Sequence, residues 1–306
     1  MNTSTAPIHP HNPIARWLAE HGQLVLDGAL GSELARRGAD VDDPLWSAKL
    51  LLEQPSLIHQ VHLDYFRAGA DVATTATYQA TFEGFARRGL DASAAAALMR
   101  SAVALATEAR EQFWQEAQTD PAHAGRARPL VAASVGPYGA FLADGSEYRG
   151  HYGLDRAALR AFHEPRLAVL ATAGADLLAC ETLPCLEEAL ALAEALQAWP
   201  EQSAWFSFSC RDGAHNSQGE PLADCVRALN AYPQVAAIGI NCTAPQHVPA
   251  LVAAARAATD KPIVVYPNAG ETYDAVTKTW HGAAHDGGAT MAEDAMRWAP
   301  PGPSRG

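Results

Sequence analysis

Short apolar runs alternate with longer amphipathic segments along most of this chain. The runs are rich in β-branched or small side chains, and most of them end at a polar residue. Runs of this kind are typical of buried parallel strands. The pattern therefore predicts seven strands, at 23–29, 71–78, 130–137, 176–182, 204–210, 236–242 and 262–268.

The segments between these strands have apolar residues at helical spacing or are rich in alanine, and both features favour helix. We predict helices at 13–20, 30–37, 56–67, 93–117, 156–172, 187–198, 224–230 and 248–258, with another starting at 291–298. Such alternation is typical of parallel strands joined by right-handed crossovers. No Gly-x-Gly-x-x-Gly sequence follows the first strand, so a dinucleotide-binding fold has no support.

The fold class that follows is α/β, a (β/α)8 TIM-type barrel in which the eighth strand and helix are missing. We assign the barrel domain to 13–299 and expect 1–12 to be a disordered tail. Residues 300–306 include three prolines, so we expect a second tail there and no buried strand. Open sheet edges invite pairing with other chains, so we also expect self-association.

Composition narrows the classes of partner and the compartment. The net charge of −12 argues against binding to nucleic acid or to an anionic membrane, because both require a basic surface. The five cysteines are an odd number and do not suggest a disulfide framework. The first twelve residues contain no apolar signal region, and no apolar run is long enough to span a bilayer. We therefore expect a cytoplasmic protein.

Polar side chains stand at the ends of four predicted strands. These residues are Asp27, Thr77 with Tyr78, Glu181, and Asn241 with Cys242. The carboxyl ends of barrel strands meet at one mouth, where barrel enzymes hold their active sites. Two carboxylates there suit either acid–base chemistry or the binding of a cationic amine. Taken singly, each acid is also explained as a helix cap or as a residue of a solvated loop, and Cys242 as a small buried hydrophobe.

Several ordered motifs make the chain resemble the homocysteine S-methyltransferases, close to the bacterial and plant branch that uses S-methylmethionine. The resemblance runs from Leu24 to Trp298. The matching stretches are LDGALGSELARRG, LWSAKLL, TTATYQATFEGF, ASVGPYGAFLADGSEYRGHYG, ACETLP, GINCTAP, YPNAGETYD and a following TW.

The resemblance implies a (β/α)8 barrel that holds Zn²⁺ on three cysteine thiolates, and it maps the first of these onto Cys242. The other two belong to a Gly-Gly-Cys-Cys-Arg segment that this sequence does not contain. The chain departs from the family pattern after Ala299, as a truncation or a change of reading frame would make it do. The resemblance also implies that Asp27 and Glu181 bind the amino group of homocysteine. Gly28, Thr77 and Asn241 would line the same pocket.

The implied reaction transfers a methyl group from S-methylmethionine to the thiol of homocysteine and forms methionine. Zinc would hold the substrate as a thiolate, which is the nucleophilic form. One cysteine cannot hold zinc in this way. Other residues of suitable type could replace the missing ligands, but strict coordination geometry argues against them; they are Cys210, His281, His285 and Asp286.

Two tyrosines in the glycine-rich loop after the third strand suggest a site for the methyl donor. We expect Tyr148 or Tyr152 to face the sulfonium through cation–π attraction, although ordinary aromatic packing explains both equally well. Two alternatives to the enzyme remain. One is a non-catalytic remnant that binds a thiol amino acid without turnover. The other is the homocysteine module of a cobalamin-dependent methionine synthase, for whose additional domains 306 residues leave no room.

Overall fold

A computed structural model describes residues 11–40, 49–268, 272–274 and 279–281, together with the isolated positions 293 and 298. Most of the predicted amino-terminal tail, the helix at 291–298 and the tail at 300–306 lie outside these residues. Part of the LWSAKLL motif lies outside them as well.

Six parallel strands form one sheet in the order of the chain, and the sheet curls into a half-barrel. This confirms the predicted incomplete barrel. The strands are β1 (Val72–Thr74), β2 (Leu130–Val135), β3 (Leu177–Leu183), β4 (Ala204–Phe208), β5 (Val235–Asn241) and β6 (Ile263–Tyr266). A separate antiparallel hairpin, which the sequence pattern did not predict, pairs β7 (Thr272–Asp274) with β8 (Thr279–His281).

The predicted strand at 23–29 is wrong as a full strand, because this segment forms only one isolated parallel bridge, between Leu26 and Val72. The backbone pairing starts normally, with Asp27 N donating to Val72 O at 2.9 Å. The next ladder bond would run from Thr74 N to the backbone of Asp27. Thr74 N instead donates to the Asp27 side chain, to Oδ2 at 2.8 Å. The carboxylate thus ends the strand by taking the place of its own backbone carbonyl.

Helices follow the strands as the sequence pattern predicts. They are α1 (Pro13–His21), α2 (Leu30–Arg36), α3 (Leu50–Glu53), α4 (Pro55–Ala68), α5 (Phe82–Ala86), α6 (Ala92–Ala117), α7 (Tyr138–Leu142), α8 (Arg156–Leu170), α9 (Leu186–Leu196), α10 (Leu222–Leu229) and α11 (Val248–Arg256). The two longest begin with a side-chain cap: Asp91 accepts from Ala94 N, and Asp155 accepts from Ala158 N. Among the described residues, no helix combines the length and apolarity needed to cross a membrane.

The two faces of the sheet belong to different apolar clusters. The outer face and the surrounding helices form the largest apolar cluster, which includes Leu178 and Cys180 of β3. The inner face forms a smaller cluster at its amino end, and Ile14 of α1 packs into it. The strand residues of this inner cluster are Val72, Ala132, Leu177, Ala179, Trp205, Ala236 and Ala237. α1 therefore closes the amino end of the half-barrel.

A glycine is required where β5 and β6 lie closest. A side chain at Gly239 would overlap the carbonyl oxygen of Val264. The two strands are paired there in parallel register, Gly239 opposite Val264. Because that backbone cannot move without breaking the ladder, position 239 accepts no Cβ. The self-association expected from the open edges of the sheet stays a prediction.

Candidate active site

The inner face changes from apolar to polar toward the carboxyl ends of the strands. Side chains alternate between the two faces of a strand, so inner positions recur every second residue. The inner series of β3 runs from Leu177 through Ala179 to Glu181. The equivalent series bring Ser134 of β2, Ser207 of β4 and Asn241 of β5 to the same end. The alternation therefore builds an apolar floor and a polar layer above it.

Glu181 is buried and held by two hydroxyl groups. Ser134 Oγ donates to Glu181 Oε1, and Tyr266 OH donates to Glu181 Oε2 at 2.9 Å. Tyr266 OH also accepts from Trp205 Nε1 at 3.0 Å and lies 2.7 Å from Ser207 Oγ. Burial raises the pKa of Glu181, and the bonds from Ser134 and Tyr266 oppose that rise by favouring the ionised form.

Asp27 lies on the bridging segment and turns both carboxylate oxygens toward one residue. Thr74 N donates to Oδ2 at 2.8 Å, and Thr74 Oγ1 donates to Oδ1 at 2.6 Å. Burial raises the pKa of Asp27 to about 7, and the charge of Glu181 adds to the rise. Glu181 is thus close enough to affect the ionisation of Asp27, although 154 positions separate them in the sequence.

Cys242, Thr182 and Asn241 form a compact cluster beside Glu181. Asn241 Nδ2 lies 3.3 Å from Cys242 Sγ, and Thr182 Oγ1 lies 3.8 Å from the same sulfur. Asn241 also bonds twice to Thr182, through the backbone N–H and through the hydroxyl. Burial, with the charge of Glu181, raises the pKa of Cys242 to about 11. Without a further positive charge, the sulfur is therefore a thiol at neutral pH.

Unusual backbone geometry marks this cluster. Four non-glycine residues in the described part of the chain have a positive φ, and Thr182 (60°) and Cys242 (47°) are two of them. Thr182 lies in a register shift of β3, between Cys180 and Leu183. Left-handed geometry costs a non-glycine residue on the order of 1 kcal/mol or more, most of all a β-branched one. Strained residues that touch each other are a frequent property of functional sites.

Two further residues expected at the pocket, Thr77 and Gly28, lie near the acids. Thr77 is buried, and its hydroxyl donates to Ser134 O at 2.7 Å, so its proton is used within the fold. Gly28 follows Asp27 directly, and a Cβ there would lie 2.7 Å from the Tyr65 hydroxyl oxygen. The absence of a side chain at position 28 therefore lets Tyr65 approach the segment that carries Asp27.

The two loop tyrosines have different surroundings. Tyr148 reaches the site, where its hydroxyl hydrogen-bonds the Cys242 thiol and lowers that group's pKa, against the effect of burial. Tyr152 packs edge-on against Tyr138, with 5.3 Å between ring centroids, in a cluster that includes Phe162. Burial and the nearby charge of Glu188 raise the pKa of Tyr152. Only Tyr148 is thus placed beside Cys242.

Four polar residues of the site were missed by the sequence reasoning: Thr182, Ser134, Ser207 and Tyr266. The signal for the two serines was present, because each occupies the polar inner position that follows an apolar one two residues earlier. Thr182 follows Glu181 and would alternate to the outer face in a regular strand. Only the register shift brings it to Cys242, and no sequence pattern indicates that shift.

Zinc on three cysteines does not fit the residues described. In that part of the chain, no three His, Cys, Asp or Glu side chains are grouped so that they could hold a metal ion. Cys210, considered as a replacement ligand, is buried, and its Sγ points toward the backbone oxygen of Phe208. Burial raises the pKa of this thiol, and Cys225 of α10 adds to the rise. The side chain of His281, and all of His285 and Asp286, lie outside the described residues. Among the described residues, Cys242 therefore does not belong to a group of side chains that could hold a metal ion.

Comparisons with known proteins agree on one family. A family model described as homocysteine S-methyltransferase matches residues 24–300. Homocysteine S-methyltransferase YbgG of Bacillus subtilis (strain 168) is 54% identical over 273 residues, which cover 89% of this chain and 86% of that protein. Homocysteine S-methyltransferase of Escherichia coli (strain K12) is 55% identical over 271 residues, again covering 89% and 86%.

A solved structure shows the same architecture. The crystal structure of the homocysteine methyltransferase MmuM from Escherichia coli, in its metallated form, matches with a TM-score of 0.80 at 53% identity. The match covers 85% of this chain and 88% of that one. The polar mouth described above therefore belongs to a fold that a close relative shares.

Proposed function

Because this chain belongs to the homocysteine S-methyltransferase family, we propose that its polar mouth binds L-homocysteine for methylation to methionine. The proposed methyl donor is S-methylmethionine, a sulfonium, with S-adenosylmethionine as the other candidate of that class. Asp27, Glu181, Asn241 and Cys242 are the proposed site residues, and Gly28 and Thr77 line the pocket.

The observation that carries this proposal is the pair of acids at the mouth. Burial raises the pKa of both Asp27 and Glu181, and the charge of Glu181 adds to the rise at Asp27. Two carboxylates that share a poorly solvated space are destabilised when both are ionised. An ammonium group between them would remove that cost and gain charge-assisted hydrogen bonds.

In the proposed reaction the chain's own residues bind and orient. Asp27 and Glu181 hold the amino group, and Asn241 fixes the position of Cys242. Holding the acceptor sulfur in line with the donor methyl would supply a large part of the rate increase. In the family pattern, zinc would make the acceptor a thiolate. The described residues do not fit that three-thiolate site, so the proposal for this chain is limited to binding and orientation.

That misfit favours a second candidate function, a protein that binds a thiol amino acid without turnover. Its site would keep the acid pair and would lack a three-thiolate metal centre, which the described residues do not form, to ionise the substrate thiol. The two candidates share the homocysteine site and differ only in methyl transfer.

Two measurements test these functions. Isothermal titration calorimetry with L-homocysteine should show binding to the 306-residue protein, weakened at least about tenfold by Asp27→Asn or Glu181→Gln. Exposed Glu108 of α6 provides the matched control, since Glu108→Gln removes the same charge elsewhere. Methionine formed from S-methylmethionine and homocysteine distinguishes enzyme from binder. Absence of homocysteine binding would overturn both.

A further inference from the structure

A second acidic group stands at the same mouth, apart from the acids assigned to the amino group. It is Glu147, in the single 3-10 turn Ser146–Tyr148 that follows α7. Ser209 Oγ donates to Glu147 O at 2.9 Å and fixes the turn to the chain after β4. A Cβ at Gly139 would overlap the backbone nitrogen of Glu147, so α7 packs tightly on the turn. The position of Glu147 is therefore set by two independent contacts.

The carboxylate of Glu147 is only partly used within the fold, where it accepts a hydrogen bond from its own backbone. Its Oε2 atom is buried and has no hydrogen-bond partner within the part of the chain that the structure describes. Burial raises the pKa of Glu147 to about 7, and the charge of Asp144 adds to the rise. A buried carboxylate oxygen without a partner costs free energy, and such groups in native proteins are usually completed by a ligand, ion or water.

Tyr78 relates this carboxylate to the Cys242 cluster. Burial is the main cause of the raised pKa of the Tyr78 phenol, and the nearby Glu147, Tyr148 and Cys242 add to the rise. Thr182 hydrogen-bonds to the same phenol. Tyr78 is thus near enough to both Glu147 and Cys242 to be affected by each of them. Tyr148, next to Glu147 in the turn, bonds to Cys242 as well. An acid and two aromatic residues are therefore found in the neighbourhood of the Cys242 sulfur.

We propose that Glu147, with the rings of Tyr78 and Tyr148, forms a subsite for the cationic sulfonium of the methyl donor. The inference rests on the proposed function and extends it by naming the residue that distinguishes a charged donor from a neutral thioether. A carboxylate attracts the positive charge directly, and aromatic faces add cation–π attraction.

The donor loses its positive charge in the reaction, so this subsite would bind the donor and the product differently. The acceptor sulfur forms a bond to the methyl carbon and loses its thiol proton to solvent. The bond between that carbon and the donor sulfur breaks, and its electron pair stays on the donor sulfur. The donor thus leaves as a neutral thioether. Glu147 would hold the sulfonium more tightly than the product, so it would favour donor entry and methionine release.

Calorimetry on the 306-residue protein tests the subsite without requiring turnover. S-methylmethionine is titrated into protein saturated with L-homocysteine, which occupies Asp27 and Glu181. We expect Glu147→Gln to raise the Kd for S-methylmethionine at least about tenfold, since it removes the counter-charge and keeps the shape. Glu108→Gln on the exposed face of α6 should leave that Kd unchanged. Methionine, which lacks the charge, should bind equally to wild type and Glu147→Gln.

The outcomes separate this inference from the proposed function. If homocysteine binds but S-methylmethionine does not, or if Glu147→Gln binds the donor like wild type, the subsite is overturned and the homocysteine site stands. An equal loss of methionine affinity would also overturn it, because the effect would then not depend on charge. If homocysteine does not bind, the proposed function fails. If Glu147→Gln does not fold, Glu147→Asp replaces it. Because Glu147→Asp keeps the charge, it should weaken S-methylmethionine binding only slightly. An equal loss of affinity for methionine would show instead that the turn has collapsed.

Discussion

The side-chain amide of Asn241 holds Thr182 through two hydrogen bonds at once. Its Oδ1 accepts from Thr182 N at 2.8 Å, and its Nδ2 donates to Thr182 Oγ1 at 2.7 Å. The two residues lie 59 positions apart, on β5 and β3. The pair spans the intervening strand and fixes the register shift that brings Thr182 to Cys242.

Removing this amide should destabilise the fold. Asn241→Ala leaves the buried Thr182 N–H without its acceptor, and we expect a loss of about 2 to 3 kcal/mol in the free energy of unfolding. Urea unfolding followed by circular dichroism measures it. The control is Gln60→Ala at an exposed position of α4, where less than about 0.5 kcal/mol should be lost. Equal stability of the two variants would show that the pair is not needed for the fold.

Two substitutions at Thr182 should separate backbone strain from hydrogen bonding. Thr182→Gly and Thr182→Val both remove the hydroxyl, but only glycine adopts a φ of 60° without strain. We therefore expect Thr182→Gly to be more stable than Thr182→Val by at least about 1 kcal/mol. Thermal unfolding of the two proteins under one condition gives the comparison. The opposite order would contradict the assignment of strain to this position.

Tyr266→Phe should weaken homocysteine binding more than it weakens the fold. The variant removes the donor to Glu181 Oε2 and the acceptor for Trp205 Nε1. Because the Tyr266 bond lowers the pKa of Glu181, its loss should leave less of that acid ionised. We expect the Kd for homocysteine to rise about tenfold, as for a lost bond to a charged group. Tyr232→Phe, away from the mouth, is the control, and an unchanged Kd in Tyr266→Phe would refute the role.

Homocysteine affinity should increase with pH between about 6 and 8. The pKa of Asp27 is about 7 in the free protein, and the substrate ammonium prefers the ionised acid. Binding below pH 7 should therefore release a proton, which calorimetry in buffers of different ionisation enthalpy detects. Asp27→Asn should remove most of this dependence. A proton release that persists in Asp27→Asn would assign the titration to another group.

The raised pKa of Asp27 makes the stability of the ligand-free protein depend on pH in the opposite direction. The folded protein keeps the Asp27 proton up to about pH 7, whereas the unfolded chain releases it near the ordinary pKa of an aspartate, 3.8. Between these values the folded state binds more protons, so the contribution of Asp27 to stability falls as pH rises. Asp27→Asn should flatten this part of the profile in urea unfolding.

The 306-residue chain should hold far less than one zinc per molecule. Cys242 supplies one thiolate, and each missing charged ligand removes much of the affinity. Elemental analysis after dialysis measures the metal. Appending a segment with Gly-Gly-Cys-Cys after Ala299 should restore zinc and methyl transfer, and Cys242→Ser in that variant should abolish both. Stoichiometric zinc together with methionine formation in the unaltered chain would contradict this.

The sequence predicted the parts of the site that depend on local pattern. The alternation of apolar and polar positions indicated where β3 and β5 end, and so placed Glu181 and Asn241 correctly at the carboxyl ends. It did not predict Tyr266, which lies 85 positions from Glu181, because that bond depends on the order of strands around the sheet. The strand predicted at 23–29 was too long. Hydropathy does not indicate that the Asp27 carboxylate accepts the hydrogen bond that its own backbone carbonyl would accept in a regular strand.

The alternation along β3 also constrains which changes of length this gene can tolerate. Glu181 lies on the inner face, and its neighbour Cys180 is buried on the outer face among the helices. An insertion or deletion of one codon early in β3 would exchange the two, turning a thiol to the mouth and an acid into the apolar layer. Two codons would restore the faces but shift the acid about 7 Å along the strand. Length variation among descendants of this gene should therefore accumulate in the loops before β3 and be absent within it.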